Sequence, residues 1–445
     1  MIHKKLAVLA FSSVFAIAGC NDSTTISDPV SIAGTTSPPG TPGSLGTPAP
    51  PGSSVSVLES SDSVIERFGT LTARNTAPDV EASSQADVVR AINNFSLDLH
   101  RTVVATAPTS GSVESGYSAA VALSLTYAGT AGNTQSALAN MLGVDAINES
   151  VLHPAINALG LALNSRGNED LVLHTANQVF VRPGLALQDD YLDIATGDYG
   201  APVIEADFAG ANEEVTRVIN AWVAEQTDNF IPKIVDSFPS STVFALLNTI
   251  FLDAAWQDEY EAVGLREFIA LDGSTMSVES FSGRSQLPVL RTDDLLGLEI
   301  PYGGGEISML ILMPDSLETF EPTLNASAVE NLVNSMTDTD VNFTVPNWED
   351  EADLDLAELL APLGFPENPW NFGRMIEGGA SLEVLAKQRA RIEVDENGTR
   401  AAAVTAVAGI ESQPEFVSID RPFVYLIRDR VTGLILFTGR VVSPG

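Results

Sequence analysis

Between Gly398 and Gly409 the chain reads GTRAAAVTAVAG, with no side chain larger than valine apart from Arg400. An alanine-rich helix is one possible outcome, since alanine is the best helix former. Against it stand the β-branched Val404, Thr405 and Val407, a glycine at each end, and the lack of an apolar stripe to hold a helix to a core. On a strand's two-residue period, Thr399, Ala401, Ala403, Thr405, Val407 and Gly409 share one face, and Arg400, Ala402, Val404, Ala406 and Ala408 share the other. Every side chain on the first face is small. A strand of this kind can enter between two strands that already exist, with its single charge, Arg400, pointing out. The run therefore has the composition of a segment exposed in one state and intercalated in another.

Both flanks read as strands: RIEVDENGT before the run and FVSIDRPFVYLIRD after it. The chain closes on FVYLIRDRVTGLILFTGRVV, two apolar stretches joined by a polar Arg-Asp-Arg-Val-Thr-Gly turn, which is a hairpin signal. Upstream, ADVVRAINNFSLDLHRTVVATA from Ala86 puts Val88, Val89, Ile92, Phe95, Leu97 and Leu99 largely on one helical stripe. A second helix is expected over Tyr117 to Tyr127, and a third from an Asn133-Thr134 cap to Gly143. Strand-like runs follow in LVLHTANQVFVR, FALLNTIFLDAAW, ISMLILMP and DVNFTVPNW, with one more helix around EEVTRVINAWVAEQT. Early helices followed by mostly β structure give an α+β fold class.

The first nineteen residues, MIHKKLAVLAFSSVFAIAG, join a cationic start at Lys4 and Lys5 to an apolar stretch too short to span a bilayer. They read as a secretory signal. Ile17-Ala18-Gly19-Cys20 resembles the bacterial lipoprotein cleavage box, and Cys20 is the only cysteine in the chain. That resemblance implies loss of residues 1 to 19 and lipid on the sulfur and amine of Cys20. Several acyl chains are needed, since each buried methylene contributes only about 0.8 kcal/mol. Asn21 after the cysteine favours the outer membrane, with the folded body facing the periplasm or the outside. From Asn21 to about Ser54 the text is Ser, Thr, Pro and Gly, a solvated tether with a mean reach of about 30 Å. Residues 55 to 84 show no clean period, so the domain reading is a removed signal over 1–19, a lipidated tether over 20–84 and a folded domain over 85–445.

With 22 basic against 58 acidic residues the formal net charge is −36, and loss of Lys4 and Lys5 takes it to −38. Such a shell repels phosphate backbones and argues against nucleic acid as a partner. The chain carries no Gly-x-Ser-x-Gly elbow, no His-Glu-x-x-His, no phosphate loop and no cysteine pair for zinc, so neither a metal nor a cofactor is expected. Beyond the signal there are three histidines, His100, His153 and His174. Each is a candidate for a Ser-His-Asp site, because a triad is recognised by geometry rather than by order. Structural or surface roles suit His100 at the end of a helix and His174 in a strand better, and hydrolase remains only an alternative.

The residues from about Ala86 to Pro444 resemble the serpin family of serine protease inhibitors. Val417-Ser418-Ile419-Asp420-Arg421-Pro422-Phe423-Val424-Tyr425-Leu426-Ile427 matches the family's C-terminal signature. Ser115-Gly116-Tyr117-Ser118 stands where the family has Ser-Pro-x-Ser, Asn248 with Ile250-Phe251 stands in its Asn-x-Ile-Tyr/Phe-Phe block, and Trp256 follows at the family spacing. The departures are Gln388 for a frequent histidine, Arg400 for an acidic residue and Gly116 for proline.

What the resemblance implies is specific. The fold is a serpin fold, with N-terminal helices on a large mixed sheet, two further sheets and an exposed reactive-centre loop. The loop is bait, the hinge is Gly398, Thr399, Arg400, Ala401, Ala402, Ala403 and Thr405 within 398–407, and Ser115, Ser118, Asn248, Trp256 and Gln388 form the gate of the main sheet. Counting fourteen residues from Gly398 puts the reactive bond at Ser412-Gln413, with Glu411-Ser412 the alternative. A serine there suits an elastase- or subtilisin-like protease with a small pocket, held in a covalent complex by a monomeric inhibitor that is consumed rather than catalytic. The rival reading is a non-inhibitory serpin acting as a binding or chaperone-like module.

Overall fold

The computed structural model describes residues 9–18, 65–67, 73–168, 170–396 and 414–444. The strands in chain order begin with β1 (Leu9–Ala18), β2 (Ile65–Arg67), β3 (Ser112–Glu114), β4 (Leu171–Val181), β5 (Val203–Ala206) and β6 (Thr242–Ala254). They continue with β7 (Glu261–Ile269), β8 (Thr275–Arg291), β9 (Leu295–Pro301), β10 (Ile307–Pro314), β11 (Thr337–Pro346) and β12 (Trp348–Asp355). The last are β13 (Trp370–Asn371), β14 (Ser381–Val394), β15 (Glu415–Ser418), β16 (Phe423–Asp429) and β17 (Ile435–Val441). The principal helices are α1 (Ala82–Thr106), α2 (Gly116–Gly129), α3 (Gly132–Leu142), α4 (Glu149–Asn164), α5 (Asp189–Asp193) and α6 (Asn212–Gln226).

Seven strands line up as β12-β14-β1-β6-β4-β5-β2, with β13 paired to β14, in a mixed main sheet. The remaining strands run β15-β11-β8-β9-β10-β16-β17-β3, with β7 beside β8. The 17-residue β8 joins the two further sheets into this one hydrogen-bonded path by pairing β7 near its start and β9 at its end. Helices and sheets together make the α+β architecture read from the sequence.

The expected stripe of α1 is buried throughout: Val88, Val89, Ile92, Phe95 and Leu99 pack in the main core, and Leu97 packs in a second cluster with Leu310 and Leu426. Helix α2 is buried on every side, which suits a helix that is apolar or small all round rather than amphipathic. The α3 boundary differs from the expected Asn133-Thr134 cap: Ala131 precedes the helix without a side-chain cap, and the Thr134 hydroxyl instead accepts from the Asn371 amide at 3.1 Å. Gly143 ends that helix in the left-handed region at φ 66°. Helix α6 covers the opposite face of the main sheet, packing Val215, Ile219 and Trp222 with Phe180, Ala245 and Phe251.

The segment 55–84 supplies more than a connection. β2 pairs with β5, Arg74 Nε donates to Asn157 Oδ1 at 3.0 Å, and Asn75 N donates to the Gly197 carbonyl at 2.8 Å. The Ser412-Gln413 and Glu411-Ser412 bonds and the hinge from Gly398 to Thr405 lie outside the described residues, as does Cys20.

Candidate strand-insertion site

β1 runs antiparallel to β14 on one side and to β6 on the other, in register over all ten of its residues with β14. β6 and β14 therefore point the same way and stand one strand apart. The segment between them is the stretch expected as an export signal, and its backbone completes both ladders. The seam opens beside Val394, where β14 ends and where the small-residue run begins three residues beyond Asp395. A segment folding back from β14 would enter in the direction β1 takes.

Of the residues expected at the gate, Ser115, Ser118, Asn248 and Gln388 gather at the middle of this seam, and Trp256 lies at its mouth. Ser13 of β1 is level with Asn248 on β6 and with Gln388 on β14. Beneath it lies the first turn of α2. Ser115 caps that helix, its Oγ accepting from Ser118 N at 3.1 Å and donating to the Leu436 carbonyl of β17 at 2.6 Å. Ser118 Oγ donates to Asn248 Oδ1, and Asn248 Nδ2 donates to Asn177 Oδ1 on β4 at 2.7 Å. On the other side, the Gln388 amide closes on the Ser115 backbone, accepting from its N–H at 3.2 Å and donating to its carbonyl at 2.9 Å. The link between Gln388 and Asn248 thus runs through the first turn of α2, which holds β14 with one residue and β6 with another. Ser115, Ser118 and Gln388 are fully buried and Asn248 is 1% exposed, so the bonds among them are made away from water, while that to the half-buried Asn177 is less enclosed.

Gly116 has its own reason for departing from proline. A Cβ built there would lie 2.3 Å from Ser96 Cα, because α1 and α2 cross with backbone nearly in contact. Only glycine fits. On β14 the neighbours of Gln388 on the buried face are Ala386 and Ala390, while Arg389 and Arg391 point out to Asp353 at 2.8 Å and Glu349 at 2.6 Å on the edge strand β12.

Trp256 lies at the mouth. Its ring stacks on Tyr302 with centroids 4.5 Å apart and 7° between planes, and its Nε1 donates to the Asp395 carbonyl at 2.9 Å. Asn347 Nδ2 donates to Glu396 Oε2 at 3.3 Å, so both residues that follow β14 are held. Asn177 and Asn347 were not singled out from the sequence. An asparagine in the middle of the apolar run LVLHTANQVFVR is the one signal that could have drawn attention to Asn177, and nothing local marks Asn347.

The three histidines are placed apart. His174 is on β4, on the exposed side of its alternation. His153 is buried in α4 with Nδ1 2.8 Å from the Tyr199 hydroxyl, and burial pushes its pKa down to about 4. His100 lies in a closed ionic cluster behind β3, its Nδ1 2.5 Å from Glu114 Oε1 and its Nε2 3.4 Å from Glu321 Oε1. Arg440 of β17 completes the cluster at 3.2 Å from Glu321 Oε2 and donates to the carbonyls of Ser110 and Ala107. Burial alone would lower the pKa of the imidazole, but the carboxylates of Glu114 and Glu321 outweigh it and hold the value up at about 9. No cluster of metal-ligating side chains occurs among the described residues.

Comparison with known proteins gives this geometry a context. Residues 90–444 match a family model described as Serpin (serine protease inhibitor). An uncharacterized serpin-like protein of Thermococcus kodakarensis is 30% identical over 378 residues, covering 82% of this chain and 88% of its own. A leukocyte elastase inhibitor of Sus scrofa is 30% identical over 373 residues, covering 79% and 97%. Among solved structures, that of the thermophilic serpin tengpin in the native state has a TM-score of 0.71 at 24% identity, covering 84% of this chain and 97% of that one.

Proposed function

The chain belongs to the serpin family, and from that premise we propose that it is a suicide-substrate inhibitor of serine proteases. The observation that carries this reading is the seam: a site one strand wide between β6 and β14, opening where β14 ends and the run of small side chains begins. A protease attacks the loop at Ser412-Gln413, its serine oxygen bonding to the Ser412 carbonyl carbon as the Gln413 amine leaves. The cut frees the upstream segment, which enters the seam with Thr399, Ala401, Ala403 and Thr405 on one face. About 14 residues at ~3.3 Å each carry the acyl-enzyme on the order of 45 Å. Each ladder bond formed contributes about 0.5–1.5 kcal/mol net, enough in sum to make the step irreversible.

The serine ahead of the cut, with Ile410 two residues before it, fits an elastase- or subtilisin-like protease, and no Arg or Lys lies near the bond to suit a trypsin-like pocket. Glu411-Ser412 is the alternative bond. The chain is exported and held by lipid on Cys20, with the following tether lifting the body off the outer membrane. Residues 9–18 occupy the seam in this structure, so removal of residues 1 to 19 would leave it to the hinge. The test is incubation of the processed protein with elastase or subtilisin: an adduct that survives boiling in detergent, with the released fragment beginning at Gln413, is expected. Complete cleavage without an adduct would overturn the inhibitor reading in favour of a non-inhibitory serpin.

A further inference from the structure

Among the described residues the exposed large apolar side chains are Val172, Leu265, Ile269, Leu271, Val431 and Phe416, of which Phe416 is the most exposed, at 77%, and the only aromatic. Its position is out of pattern. On β15 and just beyond it, Val417 and Ile419 turn inward and are 3% exposed, so the outward positions 416 and 418 should both be polar, as Ser418 is. The backbone that carries Phe416 is held firmly. β15 is the edge strand of its sheet, paired in register with β11 from Val341↔Glu415 to Thr344↔Ser418. Arg291 at the end of β8 donates to Glu415 Oε1 at 2.8 Å and to the Phe416 carbonyl at 3.4 Å.

Phe416 stands three residues after Gln413. At the reach of an extended chain this is about 10 Å from the proposed cut. A standard protein interface covers roughly 800 Å² on each partner, a disc of about 16 Å radius, so a protease seated on that bond covers this ring. Resting on the proposed inhibitory function, we infer that Phe416 is a specificity-determining contact for the attacking protease, received by an apolar recess on the side of its cleft that holds the residues after the cut. Aromatic anchors are the side chains that contribute most to such encounters.

The geometry also fixes when the contact acts. Phe416 lies downstream of the cut and stays with β15, whereas the acyl-enzyme is bonded to Ser412 and leaves with the inserting segment. The contact therefore belongs to the encounter and contributes nothing to the final complex. The experiment compares the processed wild-type protein with Phe416→Ala and Phe416→Leu against elastase and subtilisin, measuring the second-order rate of adduct formation, the number of inhibitors consumed per protease trapped, and the melting temperature. Phe416→Ala is expected to slow adduct formation about tenfold or more with at least one protease, Phe416→Leu to recover most of the rate, and consumption and melting temperature to stay at wild-type values. Equal rates for wild type and Phe416→Ala would overturn this assignment alone. A changed consumption ratio or melting temperature would replace it with a structural role. Absence of any adduct from the wild type would overturn the inhibitor reading and this assignment with it.

Discussion

The seam between β6 and β14 and the cluster behind β3 are both buried and both polar, yet they are made of different materials. At the seam, Ser115, Ser118, Asn177, Asn248 and Gln388 join through amides and hydroxyls, all neutral. Behind β3, His100, Glu114, Glu321 and Arg440 join through charges. Neutral bonds of this kind are worth about 0.5–1.5 kcal/mol each and can be exchanged for equivalents when a strand arrives. Leaving one partner of a buried ion pair behind costs about 3–5 kcal/mol. On the proposed mechanism, the strands that part are tied with bonds that can be remade, and the elements behind β3 that stay together are tied with ions.

The comparison fails first if the seam does not open. Thr399→Arg puts a long charged side chain on the face that must enter, and it should take the yield of detergent-stable adduct to nothing while loop cleavage continues. A wild-type yield on a denaturing gel would remove the seam from the mechanism. Next in size, the unprocessed chain, with residues 9–18 filling the seam, should melt above the processed one by on the order of 10 °C, since a ladder on both sides is lost with the segment. Equal melting curves would mean that the filled seam adds no stability.

Two substitutions then weigh one region against the other. His100→Ala strands Glu114 without its cation and should lower unfolding free energy by about 3–5 kcal/mol in urea titrations. Gln388→Ala leaves the backbone N–H of Ser115 unpaired, while its carbonyl still accepts from Ala119 N at 3.1 Å, and should cost about 1–3 kcal/mol. The reverse order would undo the distinction drawn above. The cluster should also be visible in pH titrations. With its folded pKa held at about 9 against an ordinary 6.5, His100 contributes fully below pH 6.5, and the contribution is lost as pH rises through about 9. On the order of 3 kcal/mol should disappear across that window in the wild type and not in His100→Gln. Gly116→Ala, which forces α1 from α2, should cost about 1–3 kcal/mol by overpacking, the same range as Gln388→Ala.

Periodicity made much of the fold readable. The stripe of α1, the apolar runs of β4, β6 and β10, and the hairpin of β16 and β17 are each a local pattern with one physical solution. The hairpin turn is held as its residues suggest, with the Asp429 carboxylate accepting from the backbone of Val431 and Thr432 and Gly433 at φ 76°. β12 was hidden because five of the eight residues of WEDEADLD are acidic. It is a strand because Arg389 and Arg391 of β14 meet its carboxylates, a fact of the neighbouring strand. At the gate the residues were legible and their connections were not. Gln388 bonds to backbone atoms 273 positions away, and no side-chain pattern records a backbone partner. His100 and Glu114 likewise sit on separate elements, and only the fold brings their charges together.

Because β6 and β14 point the same way and the seam opens beside Val394, a segment entering it from the end of β14 would close it like a zip, from one end and in one direction. A jammed first tooth stops all that come after it, while a fault at the far end leaves the fastening nearly shut. On the proposed mechanism, position along the chain after Glu396 doubles as position in time, and the same bulky side chain moved a few residues downstream should pass from blocking the insertion to merely slowing it.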